Sequence, residues 1–195
     1  FVKRFASREH LTYQRLGGTV DDAAGEAFDK VARLLDLPYP GGPSIQKAAQ
    51  EGSPRAFNFP KARLSEPFNF SFSGVKTAVL RTVQDLRAQG KTLPIGDLAA
   101  SFQAAVVSAL YEKTMDAARQ FGAQDIIVAG GVSANKALRE AFRSQTQFKV
   151  HIPHISLCTD NAAMIAAAGY QHLARGERDN LDFDVLPTWY LTALV

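Results

Sequence analysis

In Ile126-Ile127-Val128-Ala129-Gly130-Gly131-Val132-Ser133-Ala134-Asn135 an apolar run breaks into paired glycines and then into a helix-forming stretch. The pattern predicts a strand, a tight turn and a helix N-terminus. With no Cβ at Gly130 or Gly131, backbone N–H groups lie open at the positive end of a helix dipole, where an anion such as a phosphate can sit. A bare Gly-Gly turn also marks an ordinary strand-to-helix corner, so the rest of the chain decides between the two.

Downstream, Phe148 to Ile152 reads as a short strand and is followed by a loop carrying His154. Cys158-Thr159-Asp160-Asn161 then reads as a cap sequence, with Thr159 or Asp160 at the N-cap of a small-residue helix from Ala162 to Ala174. Upstream, Asp97 to Phe121 has the period of a long amphipathic helix, burying Leu98, Phe102, Ala105, Val106, Ala109, Leu110, Thr114 and Ala117. In Phe68-Asn69-Phe70-Ser71-Phe72-Ser73-Gly74 the phenylalanines alternate with small polar residues, the pattern of a half-buried strand, and a helix from about Val75 to Leu86 follows. Phe57 to Leu64 reads as loop.

Nearer the start, Thr19 or Asp21 opens a helix whose Ala24, Ala27, Phe28, Val31 and Leu35 recur at helical spacing. Pro40-Gly41-Gly42-Pro43 ends it as a stiff loop without side chains, which is a helix stop and also a bed for a flat ligand. Residues 1 to 19 read as irregular. Strands and helices alternate, which predicts an α/β domain with a mixed sheet covered by helices.

The composition narrows the functional classes. The 195 residues are 46% hydrophobic, enough for one large domain or two small ones. Twenty-two basic residues stand against 19 acidic, a formal net charge of +3, which permits contact with nucleic acid without demanding it. Lys3, Arg4 and Arg8 near the start, and Lys61 and Arg63 in a loop, read as solvated surface. The lone Cys158 excludes an internal disulfide and a cysteine-only metal cluster, reads as a packing residue, and suits a reducing compartment such as the cytoplasm. No apolar run approaches the ~20 residues of a membrane span. The sequence starts at Phe1 rather than at a methionine, so a piece of something longer is expected.

Several polar residues remain as candidates for chemistry. Asp22, Glu26 and Asp29 follow at helical spacing and share one side of the first helix. Asp29 lies too deep to gain from the helix dipole, so it is either solvated or employed. A carboxylate for ribose hydroxyls at Asp29, close approach to a base or sugar at Gly42, and the Gly130-Gly131 turn together make a candidate nucleotide cradle. Asn135, one turn into the following helix, can donate or accept at the same ligand. Asp160 is a helix cap or a metal ligand. His151 and His154, separated by Pro153, need not share a side and do not read as a metal pair; His172 reads as surface.

The stretches VDDAAGEAFDKVARLLDLPYPGGP, FNFSFSGVKT, IIVAGGVSANKALRE and CTDNAAMIAAAG, in this order across about residues 16 to 190, closely resemble the TsaD family. These are bacterial tRNA threonylcarbamoyl-adenosine synthases, related to the catalytic subunit of the archaeal and eukaryotic KEOPS complex. The resemblance implies an actin-like ATPase or sugar-kinase (ribonuclease H-like) lobe. Residues 1–19 would be a remnant of the N-terminal lobe or a linker, and 20–195 the C-terminal nucleotide-binding lobe with a helical insertion around 20–122. The implied reaction moves a threonylcarbamoyl group from its adenylate to the adenosine beside the anticodon of a tRNA. Asp29, Gly42 and Asn135 match the family's ligand-binding positions, with Glu26, Gly130 and Gly131 beside them. Asp160 matches a metal-ligating aspartate for iron or zinc. The partners implied are tRNA, a paralogous TsaB-like subunit and a TsaE-like ATPase. The family's HxxxH metal pair and GGHT turn do not occur in these 195 residues. This chain alone is therefore expected to hold metal poorly. A non-catalytic nucleotide-binding or partner-docking module is the alternative.

Overall fold

Ala24, Ala27, Phe28, Val31 and Leu35 fall on one face of α1 (Ala24–Leu34) and its C-terminal cap, and all five are buried. This face meets the long central helix α4 (Ile95–Gln120) through an edge-on contact of the Phe28 and Phe102 rings, 5.1 Å between centroids. The computed structural model describes residues 3–9, 12–182 and 184. Around α4 pack α2 (Gly41–Ala48), a 3-10 turn at Ala49–Glu51, α3 (Ser73–Ala88) and α5 (Lys136–Arg143). Of the face predicted for α4, Leu98, Phe102, Val106, Leu110 and Ala117 are buried, and Ala105, Ala109 and Thr114 are half-buried at its margin.

Two small sheets flank this helical core. Strands β1 (Lys3–Glu9) and β2 (Thr12–Gly18) pair antiparallel, Lys3 opposite Gly18 and Glu9 opposite Thr12. Strands β3 (Asp125–Ile127) and β4 (Lys149–His151) pair parallel, with α5 as the crossover a parallel pair requires. The last helix among the described residues, α6 (Ala162–Ala174), has no buried residue. No helix among the described residues is long and apolar enough to cross a membrane.

Several local expectations are corrected. Residues 3–9 and 12–18 are strands rather than irregular chain. The side chains of Lys3, Arg4 and Arg8 lie outside what the structure describes. Neither Thr19 nor Asp21 caps α1, which follows Ala23, a residue with no side-chain acceptor; the Glu26 carboxylate instead accepts from the Ala23 N–H at 3.3 Å. Asp21 serves a different helix. Its Oδ1 accepts from the Phe72 N–H at 2.8 Å and the Ser73 N–H at 3.4 Å, and its Oδ2 accepts from the Ser71 hydroxyl, so it caps α3 from about fifty residues away. That capping shortens the strand expected at Phe68–Gly74 to a single bridge between Thr19 and Phe70. The three phenylalanines are core as their alternation requires. Pro40 to Pro43 is not a loop: Pro40 is the N-cap of α2, and the glycines form its first turn.

Candidate functional site

β3 delivers the chain to Gly130, whose φ of 88° lies in the left-handed region that glycine alone enters without strain. A four-residue 3-10 turn, Gly131–Ala134, follows, and α5 begins only at Lys136. The glycine pair therefore does not open directly onto a helix, and the expected helix dipole is displaced from it by a turn. A Cβ on Gly130 or Gly131 would meet no atom within 4 Å, so the backbone here faces open space. That space is a cleft of about 910 Å³ lined by Gly130, Gly131, His151, Pro153, Asp160 and Met164, among others. Its floor includes the exposed side chain of Ile127.

A second set of candidates lies at the start of α2. The Gly41 N–H, left without a partner in its own helix, donates to Asp29 Oδ1 at 2.8 Å. The helices touch closely here: a Cβ on Gly41 would sit 2.5 Å from the Asp29 Cα, whereas one on Gly42 would meet nothing within 4 Å. Asp29 is thus employed by the fold through one oxygen, and its other oxygen makes no hydrogen bond to the described residues.

The row of acids divides. Lys30 Nζ lies 2.6 Å from Asp22 and 2.8 Å from Glu26, and Lys76 Nζ reaches Asp22 at 2.9 Å from α3. The hydrogen bond from Lys30, then that from Lys76, holds the Asp22 carboxyl below its ordinary range. Lys30 and then the Ala23 N–H do the same for Glu26, and Asp22 and Glu26 together raise Lys30. Neutralised in this way, the acids escape the mutual repulsion that their spacing alone would impose.

Asn135 joins the two regions. It is the N-cap of α5, not a residue one turn inside it, because the intervening 3-10 turn shifts the helix start. Its Oδ1 accepts from the Leu138 N–H at 3.0 Å, and its Nδ2 donates to Gln103 Oε1 of α4 at 2.8 Å. Beside it, the Lys136 N–H donates to Gln46 Oε1 of α2 at 2.6 Å. At the start of α1, Gly25 points toward Val132, with 3.7 Å between a Cβ at Gly25 and Val132 Cγ2. Gly130, Gly131 and Asp160 share the cleft; Glu26, Asp29 and Gly42 do not line it and stand on the α1–α2 side.

Sequence reading missed Gln46, Gln103 and Arg139. Arg139 is buried, and its guanidinium donates to the Ser133 carbonyl at 2.9 Å and the Pro153 carbonyl at 2.8 Å. Its signal was its position three residues before the buried Phe142, which places a charge on the apolar face of α5.

Asp160 precedes α6 but does not cap it; Asn161 does, accepting from the Met164 N–H at 3.0 Å. The Asp160 carboxylate is exposed in the cleft. Among the described residues no group of three histidines, cysteines or carboxylates stands close enough to hold a metal ion. The one histidine of the cleft wall, His151, bonds to Asp125 at 2.7 Å, and His154 bonds to the Ser156 hydroxyl at 2.9 Å. Asp160 alone is too few donors for iron or zinc, so the described residues do not by themselves fit a metal site.

Known proteins resemble the chain in both sequence and fold. It is 51% identical to the tRNA N6-adenosine threonylcarbamoyltransferase of Thermomicrobium roseum, with 91% of this chain and 54% of that protein aligned. It is 52% identical to the protein of that name from a Synechococcus strain, covering 91% and 50%, and 50% identical to that of Fervidobacterium nodosum, covering 90% and 53%. The chain thus spans about half the length of these relatives. The crystal structure of HypF from T. kodakarensis superimposes with a TM-score of 0.53 at 16% identity, over 82% of this chain and 21% of that one, a likeness of fold alone. It agrees with the α/β, actin-like architecture expected. The family described as TsaD, tRNA N6-adenosine threonylcarbamoyltransferase, matches residues 4–167, and the chain belongs to that family.

Proposed function

We propose that this chain carries the nucleotide-facing part of a transferase that moves a threonylcarbamoyl group from its adenylate to an adenosine of tRNA. Family membership over residues 4–167 carries the reading. The open backbone at Gly42, Gly130 and Gly131 supports it. Asp29 directs its second oxygen toward ribose hydroxyls, Gly42 lets the ligand approach the start of α2, Asn135 orients it from the cap of α5, and the glycine turn receives phosphate. Glu26 borders the same region. Residues 20–195 act as the C-terminal nucleotide-binding lobe, with a helical insertion around 20–122, and residues 1–19 are a remnant of the N-terminal lobe or a linker. Asp160 contributes one oxygen to an iron or zinc ion whose remaining donors lie outside the described residues. A TsaB-like subunit and a TsaE-like ATPase are the protein partners of this reading, and the cytoplasm its setting.

Calorimetric titration with ADP and with a non-hydrolysable threonylcarbamoyl-adenylate analogue tests the cradle. Gly42→Ala should fold with an unchanged or slightly raised melting temperature, because its new methyl meets open space, and should bind about tenfold more weakly, because that space is the ligand's. Asn135→Asp keeps the cap oxygen while removing the amide donors, and should weaken binding without unfolding α5. Wild-type affinity in both variants overturns the placement. The lone donor at Asp160 favours one alternative, a docking or nucleotide-binding module without catalysis. A folded chain that gains no transferase activity when supplied with the unmatched portion of a relative would leave that reading standing.

A further inference from the structure

Outside the residues already assigned, the most unusual group in the molecule is the Arg139 guanidinium. It is buried, and among the described residues it makes no ion pair. Nη1 donates to the Ser133 carbonyl at 2.9 Å and lies 3.7 Å from Cys158 Sγ; Nη2 donates to the Pro153 carbonyl at 2.8 Å. Ser133 closes the glycine turn, while Pro153 and Cys158 belong to the segment leading to Asp160, and both segments line the same cleft. One side chain therefore ties the two lips together. Beside it the Ser133 hydroxyl is buried without a hydrogen-bond partner.

A charge buried against carbonyl dipoles alone is costly to the folded state unless a counter-charge completes it. The 3-10 turn after Gly131 supplies little dipole for an anion, so the fixed positive charge behind the turn is that of Arg139. We infer that Arg139 is a positioning residue for the phosphate end of the ligand. Its planar fork sets the distance between the glycine turn and the Asp160 segment, and its charge is balanced when an anion occupies the turn. Lysine cannot take this place, because a single ammonium does not span two carbonyls in fixed geometry. The inference rests on the nucleotide reading above, and deepens it by naming the side chain that holds the glycine turn against the Asp160 segment and supplies the charge behind it.

The test compares wild type with Arg139→Lys, which keeps the charge and most of the bulk, using ADP and adenosine as probes and hydrogen exchange as a second measurement. Arg139→Ala is the companion variant, and Arg139→Lys keeps the test valid if the alanine protein does not fold. In folded Arg139→Lys, ADP affinity should fall about tenfold, the scale of one misplaced charge-assisted hydrogen bond, while adenosine affinity stays within about twofold. Amides of Gly131–Ser133 and Ile155–Asp160 should gain exchange together. Equal losses for ADP and adenosine, or unchanged exchange in both segments, overturn the positioning role while leaving nucleotide binding intact. Wild type that binds neither probe overturns the nucleotide reading and this inference with it.

Discussion

Asp29 occupies the middle of α1, where a carboxylate gains nothing from the start of its own helix, yet it receives the first N–H of α2 at 2.8 Å. Its spacing marks it as out of place. Its partner, twelve residues ahead, was hidden because the two glycines read as loop rather than as a first helical turn. Asp29→Ala should therefore lose about 1 kcal/mol of stability from the unpaired Gly41 N–H, read as a lower thermal midpoint, in addition to any loss of ligand affinity. A variant as stable as wild type would show that the bond contributes nothing. Asp22 gives a pH-dependent counterpart. Lys30 and then Lys76 lower its pKa, so its contribution is complete above the ordinary carboxylate value of about 3.9. It is lost as pH falls through the lowered folded value, because there the unfolded chain binds the proton more readily. Asp22→Asn should make the acid limb of a plot of urea midpoint against pH shallower; an identical limb would assign the acid sensitivity elsewhere.

Among the elements, helices were more legible than strands. A helix advertises its buried face over many residues: α3 and α4 begin and end within about two residues of the expected limits, while α1 keeps the expected buried face over a shorter span. The hairpin of β1 and β2 gave no such signal: His10 and Leu11, between its strands, are not turn-forming residues, and its charges do not alternate regularly. The alternation at Phe68–Gly74 did report a shared apolar face, but not that Asp21 would draw the next two N–H groups away from any neighbouring strand. Helix α6 follows the sequence in extent and departs from it in setting. Its residues are mostly apolar all round, and none is buried; Ile165 and Tyr170 are each 65% exposed. With none of its side chains buried among the described residues, α6 should exchange its amide hydrogens orders of magnitude faster than the middle of α4. Equal protection in the two would require α6 to be covered in solution.

At the scale of the molecule, the α/β class and the fold of the actin-like group were readable from the order of motifs. The division of the candidate residues between two walls was not. Sequence order places Asp29 and Gly42 together, and Gly130 with Asn135, but whether the two pairs face one ligand depends on side chains on three helices that carry no motif. Gln46 and Gln103 are ordinary polar residues until α2, α4 and α5 are assembled around them. Among the described residues no group of three histidines, cysteines or carboxylates stands around Asp160, and the sequence places no histidine beside it in the chain.

The bond from Lys136 to Gln46 joins residues 90 positions apart in the chain. Helices α1 to α4 can find one another through much shorter loops, so the chain can regain most of its helical content before this contact closes. On the proposed reading, ligand capture then becomes a clock for the end of folding: in refolding from urea, circular dichroism should recover first, and the proposed nucleotide affinity should return only when the second wall has docked.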